Sequence, residues 1–171
     1  MADHREWSRR PEENAIVFEV EGVPISQPRQ MIDCRGKRPR TYLPDDHPIH
    51  SYKEAVALKA KEALPSRWDL TGPFEAWLLF VMPRLKKHKS GPMFLAPDLS
   101  EDIDNLEKAV WDALNKVVWL DDRQVVRVSK QRAVVESGKK PKLVVGARRL
   151  LNPFTVNLFP SFPEFSSKPS T

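Results

Sequence analysis

One apolar segment, residues 73–82, limits what this chain can fold into. Its central part is a run of seven apolar residues at positions 76–82. A helix that crosses a membrane needs about 20 such residues, so the run is too short for that role. Its aromatic and branched side chains are typical of a strand buried in a sheet, and Pro83 ends it. We therefore expect a sheet-centred globular domain.

Other segments of the chain predict the elements that pack around this strand. Residues 16–20 have the apolar and polar alternation of a strand. Ser51 and Glu54 have the spacing of a capping box ahead of a helix over 52–64. Residues 104–117 carry one apolar stripe at helical spacing, and 124–134 and 142–150 are strand-like. The order predicts an α+β fold, a mixed β-sheet packed by two main helices.

The domain limits follow from length and composition. At about 100–200 residues per domain, 171 residues predict one domain, which we place at 15–150. Residues 1–14 are polar, and 151–171 are rich in Pro, Phe and Ser, so we expect both ends to be disordered. The start shows no secretory leader, and Cys34 is the single cysteine. These features favour the cytoplasm and exclude a cysteine-based zinc cluster.

Charge is distributed unevenly along a chain whose net charge is +5. Residues 102–122 hold six acids and two bases, whereas 123–149 hold nine bases and one acid. Acids that bind a cation, surrounded by bases that bind phosphate, would explain such a pattern. Bases also cluster in two predicted loops and are candidates for contact with nucleic acid: Arg29, Arg35, Lys37, Arg38, Arg40, Lys86, Lys87 and Lys89.

Three of the acids are candidate metal ligands. Asp102 and Asp104 lie at the start of the predicted helix, and Asp122 follows the helix. We expect the chain to return along a neighbouring strand and bring the three carboxylates together, where they would repel one another without a cation. Mg²⁺ prefers oxygen ligands and suits phosphodiester hydrolysis. Lys108, one turn beyond Asp104, is placed to offset charge in the transition state.

A purely structural interpretation of the same acids is also open. Asp104 with Glu107 is a good N-cap pair, and Asp104 with Lys108 has the spacing of a helical salt bridge. Asp121 and Asp122 are common turn residues. Spacing alone does not decide between a metal site and a role of these acids in capping the helix and stabilising the turn.

Three motifs in order resemble the RusA family of Holliday-junction resolvases. They are Asp-x-Asp-Asn-Leu-x-Lys at 102–108, Asp-Ala-Leu at 112–114, and Asp-Asp-x-Gln-Val at 121–125. The resemblance, over about residues 15–149, implies a Mg²⁺-dependent homodimeric endonuclease, often encoded by a phage or prophage. It assigns catalytic carboxylates to Asp102, Asp104 and Asp122 and an essential lysine to Lys108. It leaves open whether Asp121 shares metal binding.

One position departs from the family pattern. The family commonly carries basic residues just before the first Asp, where this chain has Ser100 and Glu101. Lys86, Lys87 and Lys89 are the candidates to replace that charge.

Together these features predict a structure-selective endonuclease for recombination or repair. It would resolve four-way DNA junctions by two symmetric phosphodiester cuts, with Mg²⁺, or Mn²⁺ in its place, and no other cofactor. Two cuts suit a two-fold dimer. A non-catalytic DNA-binding regulator and an enzyme with the same chemistry on flap or fork DNA are the alternatives.

Overall fold

The computed structural model describes residues 14–29, 31–34, 38, 40–95, 97 and 99–150. The segments 1–13 and 151–171, for which disorder is predicted, lie outside the described residues, as do Arg35 and Lys37. The elements, in chain order, are β1 (Ala15–Glu21), β2 (Met31–Asp33), β3 (Arg40–Tyr42), α1 (Ile49–Ala63), β4 (Phe74–Met82), β5 (Phe94–Leu95), α2 (Ile103–Leu114), β6 (Val125–Val134) and β7 (Lys142–Arg149). A short 3-10 turn, Asp122–Gln124, leads directly into β6.

The expected α+β fold is confirmed. Five strands form one sheet in the order β1-β7-β4-β6-β5, while β2 and β3 form a separate antiparallel pair. The sheet is mixed, because β4 runs parallel to β6 and antiparallel to β7. No helix within the described ranges is long and apolar enough to cross a membrane.

Strand β4 lies at the centre of the sheet, as its apolar composition predicts. Its alternate residues from Phe74 to Met82 are buried in the core cluster. The helices cover this face with Ile49, Tyr52, Val56 and Ala60 of α1 and Leu106, Val110 and Leu114 of α2. Trp119 is fully buried just beyond α2, within the same core cluster.

Two local expectations are wrong. Helix α1 starts at Ile49 behind Pro48, with no side-chain cap, so the capping box at Ser51 and Glu54 does not form. The Ser51 hydroxyl donates instead to the Pro48 carbonyl at 3.0 Å. Helix α2 ends at Leu114 rather than at 117, because Lys116 has a φ of 65° and its backbone N–H bonds to the Trp119 carbonyl.

The path of the chain through α2 and β6 positions the candidate site. Strands β6 and β7 follow each other in sequence, yet β4 lies between them. The chain therefore passes along α2, turns at residues 115–124 and returns along β6. In this arrangement, the middle of β6, and not its first residue, lies beside the start of α2.

Candidate active site at the start of helix α2

Asp102 and Asp104 mark the first turn of α2. Asp102 is the N-cap, and its Oδ1 accepts a hydrogen bond from the Asp104 backbone N–H at 3.1 Å. This bond satisfies one of the free donors at a helix start and leaves the second carboxylate oxygen of Asp102 for other partners. Asp104 points outward, with 74% of its side chain exposed. Both acids stand where the helix dipole favours negative charge.

Lys130 of β6 faces these acids from the sheet. Its Nζ is bonded to Asp104 Oδ1 and lies 2.6 Å from Glu107 Oε2. Burial alone would lower the pKa of Lys130, but the hydrogen bonds that it donates to Asp104 and Glu107 outweigh burial and raise that pKa. The other Glu107 oxygen accepts from Trp111 Nε1 at 3.1 Å, which fixes the carboxylate against the core.

Arg132 stands two residues further along β6. Its guanidinium donates to the backbone carbonyl of Glu101, just before the first Asp. A groove beside it is lined by Leu95, Pro97, Ile103, Lys130, Gln131 and Arg132. Arg132 therefore stands beside Glu101, one of the two positions where the family commonly carries a basic residue, and Lys130 stands beside Asp104.

The remaining charged residues of α2 have separate surroundings. Lys108 is exposed one turn beyond Asp104. Its expected salt-bridge partner Asp104 is bonded to Lys130 instead. Asp112 pairs with Lys53 of α1 at 2.8 Å, so it links the two helices.

The turn before β6 is closed by its own residues. Asp121 accepts from the Arg123 backbone N–H at 3.0 Å and from Arg123 Nε at 2.8 Å. These hydrogen bonds lower the pKa of Asp121 to about 2. Gln124 completes a capping box and donates to the carbonyls of Leu70 and Gly72, both at 3.0 Å. Asp121 thus holds the turn, and Asp122, the first residue of the turn, is half-buried.

The structure does not bring Asp122 to the other two aspartates within one chain. Across the described part of the chain, no three His, Cys, Asp or Glu side chains are close enough to hold one metal ion. The reason is the direction of β6. Lys130, which contacts Asp104, lies about 16 Å along the strand from Val125, and Asp122 comes before Val125. One chain thus supplies Asp102 and Asp104, but not all three carboxylates.

The predicted DNA-contacting bases fall in two regions, of which only the second, residues 83–93, is the expected loop; the first contains the antiparallel strands β2 and β3, and Arg40 begins β3. Arg29 and Arg38 are exposed, as are Lys86, Lys87 and Lys89 in the loop 83–93. For Arg40 only the backbone is described. Arg84 holds the second loop, because its guanidinium donates to the carbonyls of Lys89, Gly91, Pro92 and Val135.

Sequence reasoning missed Lys130 and Arg132. The signal was present, since nine bases fall within 123–149 and these two have the two-residue spacing of one strand face. Their place opposite α2 depends on how far β6 runs back along the helix.

Comparison with known proteins extends the likeness over most of the chain. A family model described as endodeoxyribonuclease RusA matches residues 21–146, which include α2, the 3-10 turn and β6. An uncharacterized protein, YqaN of Bacillus subtilis (strain 168), is 32% identical over 127 residues. That alignment covers 68% of this chain and 87% of YqaN. The chain therefore belongs to the RusA family of endodeoxyribonucleases, hydrolases that cut phosphodiester bonds of DNA.

Proposed function

We propose that this protein resolves four-way DNA junctions as a Mg²⁺-dependent homodimer that makes two symmetric cuts. The family implies a Holliday-junction resolvase that binds branched DNA, and its enzymes are generally dependent on a divalent metal. The identity of the metal, the symmetry of the cuts and the dimer are the added content of the proposal.

One observation carries the proposal. The start of α2 presents Asp102 and the exposed Asp104 beside Lys130 and Arg132 of β6. Carboxylates suit a hard divalent cation, and nearby bases suit the phosphates of DNA. When bound there, the cation would activate water and neutralise charge on the scissile phosphate.

The proposed ligands are Asp102, Asp104 and Asp122. Since one chain keeps Asp122 at the other end of α2, the proposal requires the partner's Asp122 to complete each site. A two-fold dimer would then hold two equivalent sites. Two such sites suit a junction that needs one cut in each of two strands.

Bases outside the ligand set have separate proposed tasks. Lys108 is exposed one turn from Asp104, where an ammonium group would oppose charge that develops on the phosphate. Lys130 and Arg132 would hold the phosphate backbone next to the acids. The bases of residues 29–40 and of the loop 83–93 would hold the junction arms: Arg29, Arg35, Lys37, Arg38, Arg40, Lys86, Lys87 and Lys89. We place this activity in recombination or repair in the cytoplasm of a bacterial or phage-infected cell.

A cleavage assay with matched substrates tests the proposal. A four-way junction, a flap and a linear duplex of shared sequence are each incubated with the protein in Mg²⁺, in Mn²⁺ and in EDTA. We expect paired, symmetric cuts in the junction with either metal and none in EDTA. Preferred cleavage of the flap would favour the fork-type alternative, and binding without any cut would contradict the proposal.

Mixing two inactive variants tests the shared site. Asp104→Asn and Asp122→Asn should each abolish cleavage. A mixed dimer would hold one intact site, so an equimolar mixture should regain about a quarter of wild-type sites and nick one strand only. A mixture that stays inactive although subunits exchange would contradict the use of the partner's Asp122.

A further inference from the structure

The sheet has a second face, opposite to the one that α1 and α2 cover. It carries the residues that alternate with the core residues along the strands: Glu75, Trp77, Leu79 and Val81 of β4, with Gly146 and Val144 of β7 in register beside them. A sheet face that is open to water usually carries polar residues at these alternate positions, whereas a strand that is apolar on both sides is typical of one covered on both faces. Trp77, Leu79, Val81 and Val144 form what we call the second-face patch.

The second-face patch is buried, although both described helices lie on the opposite side of the sheet. Trp77 is 3% exposed, and Val81 and Val144 are each 2% exposed. These three residues lie outside the core cluster that α1 and α2 cover. By contrast, Val17 of β1, which pairs with Gly146 on the same face, is 55% exposed. The cover of this face therefore reaches over β4 and β7 but stops before β1.

One end of the second face is closed by charged side chains of the sheet itself. Glu75 is 2% exposed and is bonded to Arg127 of β6 at 3.2 Å and to Arg148 of β7. The Arg148 guanidinium also lies 5.5 Å from the centre of the Trp77 ring. These contacts explain the burial of Glu75 and of part of Trp77. Val81 lies about 13 Å further along β4, where a buried valine needs apolar neighbours on its outer side.

We propose that residues 154–158 of this same chain cover the second-face patch as an extended segment, with one side turned toward β4 and β7. Its apolar residues Phe154, Val156 and Leu158 alternate with polar residues at 155 and 157. In an extended conformation this alternation gives one apolar side and one polar side. Such a segment buries its apolar side on the patch and leaves its polar side in water.

The starting point and the length of the segment fit this place. The Leu150 backbone N–H donates to the Pro73 carbonyl at 2.9 Å, so the chain leaves β7 beside the start of β4. From there the patch extends about 20 Å along β4, whereas the 21 residues after Leu150 span about 70 Å when extended. The composition of these residues alone predicts disorder, and the patch supplies the apolar contacts that they lack on their own.

The other end of the chain is a poorer occupant of the patch. Residues 1–13 also start from this end of the sheet, since the Asn14 carbonyl accepts from the Arg149 backbone N–H at 2.8 Å. Seven of these 13 residues are charged, and burial of charges against an apolar patch is costly. Residues 151–171 carry only Glu164 and Lys168, and both lie beyond the proposed segment.

Thiol labelling of the full-length protein tests whether the segment covers the patch. In a Cys34→Ser background, Leu79→Cys places one thiol in the patch, and Leu58→Cys places one on the exposed side of α1. The added substitutions Phe154→Asn/Val156→Asn/Leu158→Asn should raise the labelling rate of Leu79→Cys by more than about tenfold, because the cover is lost. They should leave the rate of Leu58→Cys unchanged. An unchanged rate at Leu79→Cys would overturn the proposal.

The matched control removes apolar residues from the same tail outside the proposed segment. Phe162→Asn/Phe165→Asn should leave the labelling rate of Leu79→Cys unchanged. It should also lower the melting temperature by less than about 2 °C, against more than about 5 °C for the triple asparagine variant. Equal effects of the two sets would overturn the assignment to residues 154–158.

Photo-cross-linking gives a second measurement that does not depend on the asparagine variants. With p-benzoylphenylalanine in place of Val156, irradiation should join this position to peptides of β4 or β7 within one chain. A product of twice the chain mass would assign the patch to a second copy, and a cross-link to residues 1–13 in place of the strands would assign it to the other end. Either result, or no cross-link, would overturn the proposal. Neither measurement uses DNA or metal, so its outcome is independent of the proposed function.

Discussion

One pair of aspartates lies at the start of α2 and another in the turn before β6, and the two pairs are held in different ways. Asp102 and Asp104 begin the helix, and Asp104 is bonded to Lys130, 26 residues further along the chain. Asp121 and Asp122 lie in the turn after the helix, where Asp121 is bonded to Arg123, only two residues away. The first pair is therefore held by a contact between α2 and β6, whereas the second pair is held by a contact within its own turn.

This difference indicates two roles: Asp121 stabilises the local chain conformation, whereas Asp104 presents its charge at the surface. A carboxylate that is hydrogen-bonded to residues next to it in the sequence, such as Asp121, stabilises a turn independently of the rest of the fold. A carboxylate that is exposed and opposed by a cation of another strand, such as Asp104, depends on the whole fold for its surroundings.

The largest expected effect is at Asp104. Asp104→Asn should lower junction cleavage by more than about 1000-fold, because it removes a proposed metal ligand. Junction binding should stay the same or tighten, since a negative charge near phosphate is lost. Single-turnover cleavage and a gel-shift titration measure the two quantities.

Asp112→Asn is the matched control for this substitution, since Asp112 lies on the same helix and pairs with Lys53. It should retain the wild-type cleavage rate. Parallel loss of binding and cleavage in Asp104→Asn would show that Asp104 supports the fold, and the contrast between the two acidic pairs would disappear.

The next largest effect is at Lys108. Lys108→Ala should lower the cleavage rate by about 100-fold while junction affinity changes by less than about 3-fold, because the charge acts mainly on the transition state. The same two assays separate rate from affinity. Lys59→Ala on α1, also an exposed lysine, should leave both unchanged. A variant that melts early but cleaves normally would favour a structural role for Lys108.

A smaller effect is expected at Lys130, whose ammonium group competes with a metal for Asp104. Lys130→Met should tighten Mg²⁺ binding to the dimer by about tenfold, because that competing cation is removed. Isothermal titration of the protein with Mg²⁺, without DNA, measures it. Lys53→Met, which frees Asp112 instead, should leave the affinity near that of the wild type. An unchanged affinity in Lys130→Met would place the metal away from Asp104.

The smallest effect is at Asp121 and depends on pH. The bonds from Arg123 hold its pKa at about 2 in the folded protein, below the usual value of about 4. Its stabilising contribution is therefore complete above about pH 4 and is lost as the pH falls toward 2. Melting curves from pH 5 to pH 2 should fall more steeply for the wild type than for Asp121→Asn.

Asp122→Asn is the neighbouring control for the pH experiment. It should keep the steep wild-type fall in melting temperature, yet lose cleavage. If Asp121→Asn instead loses cleavage with no change in stability, Asp121 takes part in catalysis, as is proposed for the aspartates at the start of α2.

Local patterns in the sequence predicted most of the elements but not how they are arranged. The stripe of α2 and the apolar composition of β4 are short-range signals, and both elements are confirmed, although α2 ends three residues earlier than predicted. The position of Asp122 depends on the length of α2 and on the direction in which β6 runs. Helix α2 spans about 18 Å, and Asp122 lies just before β6, whose middle rather than whose start lies beside the beginning of α2. Lys130 reaches Asp104 because β6 runs back along α2 toward the start of the helix. Counting the residues that β6 needs to span the length of α2 would have identified Lys130 from the sequence.

The loop 83–93 is fixed from within by one side chain. The guanidinium of Arg84, at the start of the loop, donates to the carbonyls of Gly91 and Pro92 at the far end and to that of Val135 just after β6. The lysines at 86, 87 and 89 are therefore displayed on a backbone that is already ordered before any DNA arrives. If a junction arm binds there, little chain entropy would be lost, so we expect these three charges to act as a preformed binding surface rather than as a flexible tether.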